Sequence, residues 1–151
     1  MKIIYKSGDC LAGPEKFIAH GCNAQGVMGS GVAKAVRDRL PAAYKGYRAE
    51  FLENGLELGS TIGVDVDGVV VFNCITQNRY GPDGKRYVNY GAVNDCMNTI
   101  NAHFKDYKFG IPHVAMPMIG AGLGMGDWGI ISGIIEMCST NFQPIVYDFT
   151  P

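Results

Sequence analysis

Ile18-Ala19-His20-Gly21-Cys22-Asn23-Ala24-Gln25-Gly26-Val27-Met28-Gly29-Ser30-Gly31-Val32-Ala33-Lys34-Ala35-Val36 reads from left to right as a strand, a polar break, a glycine loop and a helix. Phe17 to Cys22 is an apolar run of strand length with His20 inside it, and Asn23 ends the run. Gly26, Gly29 and Gly31 follow, after which Val32, Ala33, Val36 and Leu40 recur at helical spacing. Glycines let backbone approach a ligand closely, and the first turn of the next helix offers unpaired N–H groups. That combination suits an anion such as phosphate. The same residues also fit a plain tight turn that packs a helix onto a strand.

The stretch is neither of the common nucleotide fingerprints. A P-loop has Lys directly after its last glycine, whereas Gly31 precedes Val32 and Ala33, with Lys34 too late. The dinucleotide pattern fails because Lys34 stands where a third small residue belongs. A second glycine stretch has the same placement. Val114-Ala115-Met116-Pro117-Met118 is a short apolar strand running into Ile119-Gly120-Ala121-Gly122-Leu123-Gly124-Met125-Gly126-Asp127. Trp128, Ile131, Ile135 and Cys138 then mark a helix.

Outward from these two stretches, strands are expected at Lys2 to Lys6 and Ile145 to Phe149. Gly59 to Val66 and Val69 to Cys74 form a hairpin about Asp67-Gly68. Pro41 ends the helix before it and opens another, whose apolar face holds Tyr44, Tyr47, Phe51 and Leu52. Val93, Cys96, Met97, Ile100 and Phe104 give a further helical stripe, and Asn78 to Asn89 is loop. Alternating strands and helices with one hairpin predict an α/β fold, a three-layer α/β/α sandwich on a mixed central sheet, as one domain over 1–151. Ligands bind such sheets beyond the carboxyl ends of the strands, so both glycine loops belong on one edge, facing each other across a crevice suited to a diphosphate.

Composition narrows the classes. The 151 residues are 47% hydrophobic and 18% charged, which is globular rather than disordered, and the 21 glycines are roughly twice the usual share. A net charge of −1 offers no field for nucleic acid or an anionic membrane, so no direct nucleic-acid groove is expected. No apolar run is long enough to span a bilayer, and Met1 to Lys6 lacks the apolar stretch of a secretion signal. Five cysteines without C-x-x-C spacing read as reduced core residues in a cytoplasmic setting, with no metal site and no cofactor expected.

These residues resemble the macrodomain family, which binds ADP-ribose. The matching segments are Ser7-Gly8-Asp9, Ile18 to Asn23 with Gly26 to Ala33, Met116 to Gly124 with Asp127-Trp128, and Val146-Tyr147. The look is that of phage and bacterial single-domain members, near the ADP-ribose-1″-phosphate phosphatases and terminal ADP-ribose glycohydrolases. The resemblance implies that Asp9, with Cys10 and Leu11, receives the adenine amino group. It places Gly26, Met28, Gly29, Ser30, Gly31 and Val32 around one phosphate and the distal ribose, and Ile119, Gly120, Ala121, Gly122, Leu123 and Gly124 over the diphosphate. Asn23 would meet the distal ribose hydroxyls, and Tyr147 or Phe149 would pack on adenine. The glycohydrolase lysine has no counterpart, since Gln77 and Asn78 follow Thr76; Gly124 stands where that branch has its aspartate, and Lys85 is a lysine that could reach in from the loop.

The candidate catalytic residues are His20, Asn23 and Asp127. His20 has two readings: acid–base work at the distal ribose, or a core imidazole bonded within the fold. Asp127 either orients water near a phosphate or caps the helix that starts at Trp128. The resulting expectation is a protein that binds ADP-ribose and hydrolyses ADP-ribose-1″-phosphate without a metal. De-ADP-ribosylation of protein or nucleic acid, or binding alone, are the alternatives.

Overall fold

The computed structural model describes residues 1–148. Six strands form one sheet: β1 (Ile4–Ser7), β2 (Phe17–Asn23), β3 (Thr61–Val66), β4 (Val69–Gln77), β5 (His113–Met116) and β6 (Gln143–Asp148). Four helices alternate with them: α1 (Gly31–Arg39), α2 (Pro41–Asn54), α3 (Tyr90–His103) and α4 (Trp128–Cys138). The sheet order is β1-β6-β5-β2-β4-β3, and every pairing is parallel except the β3–β4 hairpin. The expected mixed sheet is therefore present, and the hairpin turns at Asp67 and Gly68, both with positive φ.

Helices cover both faces. Val93, Cys96, Met97 and Ile100 of α3 and Ile131 and Ile135 of α4 bury one face with Ala19, Cys74 and Met116 from the strands. Val36 of α1 and Ala43 and Tyr47 of α2 bury the other with Cys22, Val71 and Ile75. This is the three-layer sandwich, with sheet residues alternating between layers along each strand. Pro41 is the first residue of α2, where its missing N–H costs nothing. β5 stops at Met116 because Pro117 cannot donate to a ladder. β6 begins at Gln143, before the apolar run, in register with His113.

All five parallel strands point the same way. The segments leaving the carboxyl ends of β2, β4 and β5 therefore emerge on one edge of the sheet. Among the described residues no helix is long and apolar enough to cross a membrane.

Candidate functional site

The carboxyl ends of β2, β4 and β5 enclose a cleft of about 640 Å³, within the usual range for a small-molecule site. Its walls are the two glycine loops. Asn23, Gly29, Ser30, Gly31 and Val32 contribute from the first, and Ile119, Gly120, Gly122, Leu123 and Gly124 from the second. Thr76, Gln77, Tyr80, Gly81 and Pro82, from the end of β4 and the loop after it, close the remaining side. Sequence reasoning left these five out of the site. They reach it through the β2–β4 pairing, which sets Asn23 opposite Gln77.

The first wall ends in the N-terminus of α1. Ser30 is the N-cap, yet its side chain makes no capping bond, and Gly31 takes φ 59°, a conformation that favours glycine. The N–H groups of Gly31, Val32 and Ala33 thus have no acceptor within the described chain and border the cleft. They carry the positive end of the helix dipole. Across the cleft, Gly120 adopts φ 75°, and a Cβ there would meet Val88 Cγ2 at 2.5 Å. The turn is tied by Gly126 N–H to Gly120 O at 2.7 Å and Met125 N–H to Gly122 O at 3.0 Å. That leaves the N–H groups of Gly122, Leu123 and Gly124 without acceptors among the described residues. Two sets of backbone donors without acceptors therefore belong to residues that line one cleft. No carboxylate, imidazole, guanidinium or ammonium lines it among the described residues, and the thiol of Cys22, packed in the core beside His20, is pushed up by burial, away from thiolate.

Asn23 lines the cleft, but its amide is committed to the loop. Nδ2 donates to Val27 O at 2.7 Å, and Oδ1 accepts from Gln25 N–H at 2.9 Å. The Tyr47 hydroxyl, from α2, sits 3.0 Å from Oδ1 and 2.7 Å from the Asn23 carbonyl. Asn23 thus shapes the loop that presents the α1 donors.

His20 lies elsewhere. Along β2, Ile18, His20 and Cys22 share the face opposite Ala19, and His20 is wholly buried under α2. Its Nε2 meets Asn73 Oδ1 at 2.6 Å, and Asn73 Nδ2 donates to Ile62 O at 3.1 Å. Burial, only partly offset by the Asn73 bond, lowers its pKa to about 4. The acid–base reading of His20 is corrected: the ring is a neutral core group outside the cleft lining. Asp127 is corrected likewise. It is the N-cap of α4, accepting from Ile130 N–H at 3.2 Å, and lies outside the cleft lining. Replacing it as Asp127→Ala is expected to cost roughly 1 kcal/mol of stability and to leave ligand affinity unchanged, read by denaturant unfolding beside a titration.

Other expected contacts also move. Met28 and Cys10 are core residues, 1% and 5% exposed, and Gly26 packs beside Phe51 of α2. Leu11 is half-buried against that core, and Ala121 is turned out of the cleft lining. Asp9 lies beyond the cleft lining, at the β1 end of the sheet. Its Oδ1 accepts from Leu11 N–H at 2.8 Å and Oδ2 pairs with Arg39, whose guanidinium holds the carboxyl below its ordinary range. The Tyr147 hydroxyl donates to Glu15, 2.7 Å from Oε1, and burial raises its pKa to about 12. Phe149 lies outside the described residues. Lys85 is exposed and stays out of the cleft lining.

The chain is similar to several known proteins. A protein of phage T4 named as an uncharacterized 17.5 kDa protein in the tk-vs intergenic region is 33% identical, aligned over 100% of this chain and 99% of its own. A DNA ADP-ribosyl glycohydrolase of Mycobacterium tuberculosis is 28% identical over 83% of this chain, which spans 35% of that protein. An ADP-ribose 1″-phosphate phosphatase of Aspergillus fumigatus is 43% identical over 32% of this chain and 24% of its own. Among solved structures, Thermosipho africanus DarTG in complex with ADP-ribose superposes with a TM-score of 0.79 at 19% identity, over 99% of this chain and 43% of that one. The Macro domain model matches residues 19–134, a segment holding both glycine loops and the β4 edge between them, and the chain belongs to the macro domain family.

Proposed function

We propose that the cleft binds ADP-ribose, with the diphosphate between the two glycine loops, adenine toward Asp9 and the distal ribose toward Asn23 and Gln77. The observation that carries this reading is the pair of backbone donor sets without acceptors, Gly31 to Ala33 and Gly122 to Gly124, in a cleft without a charged side chain. Such donors neutralise a diphosphate locally, which suits a chain of net charge −1. The neutral walls suit the ribose and adenine faces. Thermal shift measurements test it. ADP-ribose is expected to raise Tm in proportion to its occupancy, and ribose 5-phosphate to raise it far less. Equal shifts with the two ligands would remove adenine from the site.

Hydrolysis of ADP-ribose-1″-phosphate is the second reading, favoured by the same donors. N–H groups aimed at phosphoryl oxygens stabilise charge that develops in displacement. With His20 and Asp127 outside the cleft lining, this chemistry would rest on positioning and backbone electrostatics, and turnover would be slow and unaffected by chelators. The A. fumigatus relative's name favours this reading, on a short alignment. The lysine–aspartate route of the glycohydrolases finds no support in Gln77 and Gly124.

A further inference from the structure

We propose that the loop over residues 78–89 carries a second anion subsite, built on Arg79 and Arg86, which takes a phosphate attached beyond the C1″ end of a bound ADP-ribosyl group. The proposal rests on the ADP-ribose reading above. Its direction comes from the sheet. Asp9 follows β1 at one end of the order β1-β6-β5-β2-β4-β3, and the 78–89 loop follows β4 near the other. A ligand with adenine at Asp9 and its diphosphate between the glycine loops must point its distal ribose at that loop. Tyr80, Gly81 and Pro82 line the cleft there. From the two ends of the same loop, Asn78, Arg79, Arg86 and Tyr87 line a depression of about 360 Å³.

The loop is basic. Arg79, Lys85 and Arg86 lie within eight residues, and none of them pairs with a carboxylate among the described residues. The loop's one carboxylate, Asp83, is held by the Tyr87 hydroxyl at 2.8 Å and by Lys85 N–H at 3.1 Å. Arg86 lies over the Tyr90 ring, 4.7 Å from its centroid. That contact uses the face of the guanidinium and leaves its in-plane N–H groups for an acceptor. The loop is also fastened to the cleft. Tyr87 N–H and Val88 N–H both donate to Gly124 O, at 2.9 and 3.2 Å, and Gln77 Nε2 donates to Arg79 O at 2.7 Å. These bonds hold both ends of the loop's backbone beside the cleft. Two arginine forks without carboxylate partners favour phosphate above other anions.

The phosphate has two sources: a terminal monoester, as in ADP-ribose-1″-phosphate, or a diester of an ADP-ribosylated oligonucleotide. Equilibrium titrations with ADP-ribose and each of these two ligands, at two salt concentrations and with ligand integrity checked afterward, test the subsite. The wild type is expected to bind at least one phosphate-bearing ligand roughly tenfold more tightly than ADP-ribose. The Arg79→Ala/Arg86→Ala double variant should lose that gain, keep its ADP-ribose affinity and Tm, and, with the oligonucleotide, show a shallower salt dependence, by roughly one unit of slope per guanidinium. Whichever ligand shows the gain identifies the source. Absence of a gain with both ligands, or equal weakening of ADP-ribose in the double variant, overturns the subsite. A wild type that fails to bind ADP-ribose overturns the ADP-ribose reading itself.

Discussion

Gly122→Glu is expected to lose nearly all of the proposed ADP-ribose binding while the protein melts as the wild type does. Gly122 borders the cleft, and a Cβ built on it meets nothing within 4 Å. Its φ lies outside the left-handed region, so a side chain strains no backbone there. A glutamate is therefore free to extend from the loop whose N–H groups are the proposed diphosphate donors. Two unit charges 4 Å apart at an effective dielectric of 20 repel by about 4 kcal/mol, close to a thousandfold in Kd. Partial solvation reduces this, and an expected loss of at least about a hundredfold remains. Stability should stay within about 0.5 kcal/mol, as for other exposed substitutions away from caps and core. Gly122→Ala separates charge from bulk: a methyl group in open space should weaken binding only a few-fold. Titration calorimetry with ADP-ribose, beside a thermal melt of each variant, reads the result. Wild-type affinity in Gly122→Glu would mean that residues 122–124 do not hold the diphosphate.

The loop that makes this prediction possible was legible because its signal is local. A strand, a run of glycines and a helical stripe occur in that order twice, and the order alone assigns both loops to one sheet edge. The same locality set the hairpin at Asp67-Gly68 and the start of α2 at Pro41. The third wall was not legible. Thr76, Gln77 and Tyr80 to Pro82 join the cleft only because β4 pairs with β2, a contact between segments about 50 residues apart whose register no short pattern states. Side-chain roles failed for a related reason. His20 and Asn23 are three residues apart, but the register shifts between Cys22 and Asn23, so strand alternation does not carry from one to the other, and Asn23 meets Tyr47 of α2. The partner that decides the role of His20, Asn73, lies directly across the β2–β4 ladder. Asp127 was open to two readings because a helix N-cap and a site residue share one address, the end of a strand-to-helix loop; the bond to Ile130 N–H decides it.

Between pH 7 and pH 4.5 the protein is expected to lose stability through His20. Its imidazole is wholly buried against Asn73, and burial lowers its pKa from 6.5 to about 4. The unfolded chain therefore takes up a proton near pH 6.5, while the folded chain does so only near pH 4. Stability from this group is full above the unfolded value and declines as pH falls, by about 1.4 kcal/mol per unit, until the folded value is reached. The whole window amounts to roughly 3 kcal/mol, a large part of what holds a domain of this size together. The carboxylates act lower. Asp9, held by Arg39, and Glu15, where the Tyr147 and Lys6 bonds outweigh burial, have lowered pKa values. Their contribution is lost only as pH falls through those lower folded values, below the His20 window. Urea unfolding of the wild type and of His20→Leu across pH 7.5 to 4.5 isolates the histidine. The variant leaves the Asn73 Oδ1 without its ring partner and should be less stable at pH 7.5 by about 1–3 kcal/mol. Its stability should then fall much less steeply toward pH 4.5, so that the two curves converge. Its ADP-ribose affinity at pH 7.5 should match the wild type, because the ring lies outside the cleft lining. Parallel pH curves for the two proteins, or loss of turnover without loss of stability, would show that protons reach the ring in the native state and would return His20 to acid–base chemistry.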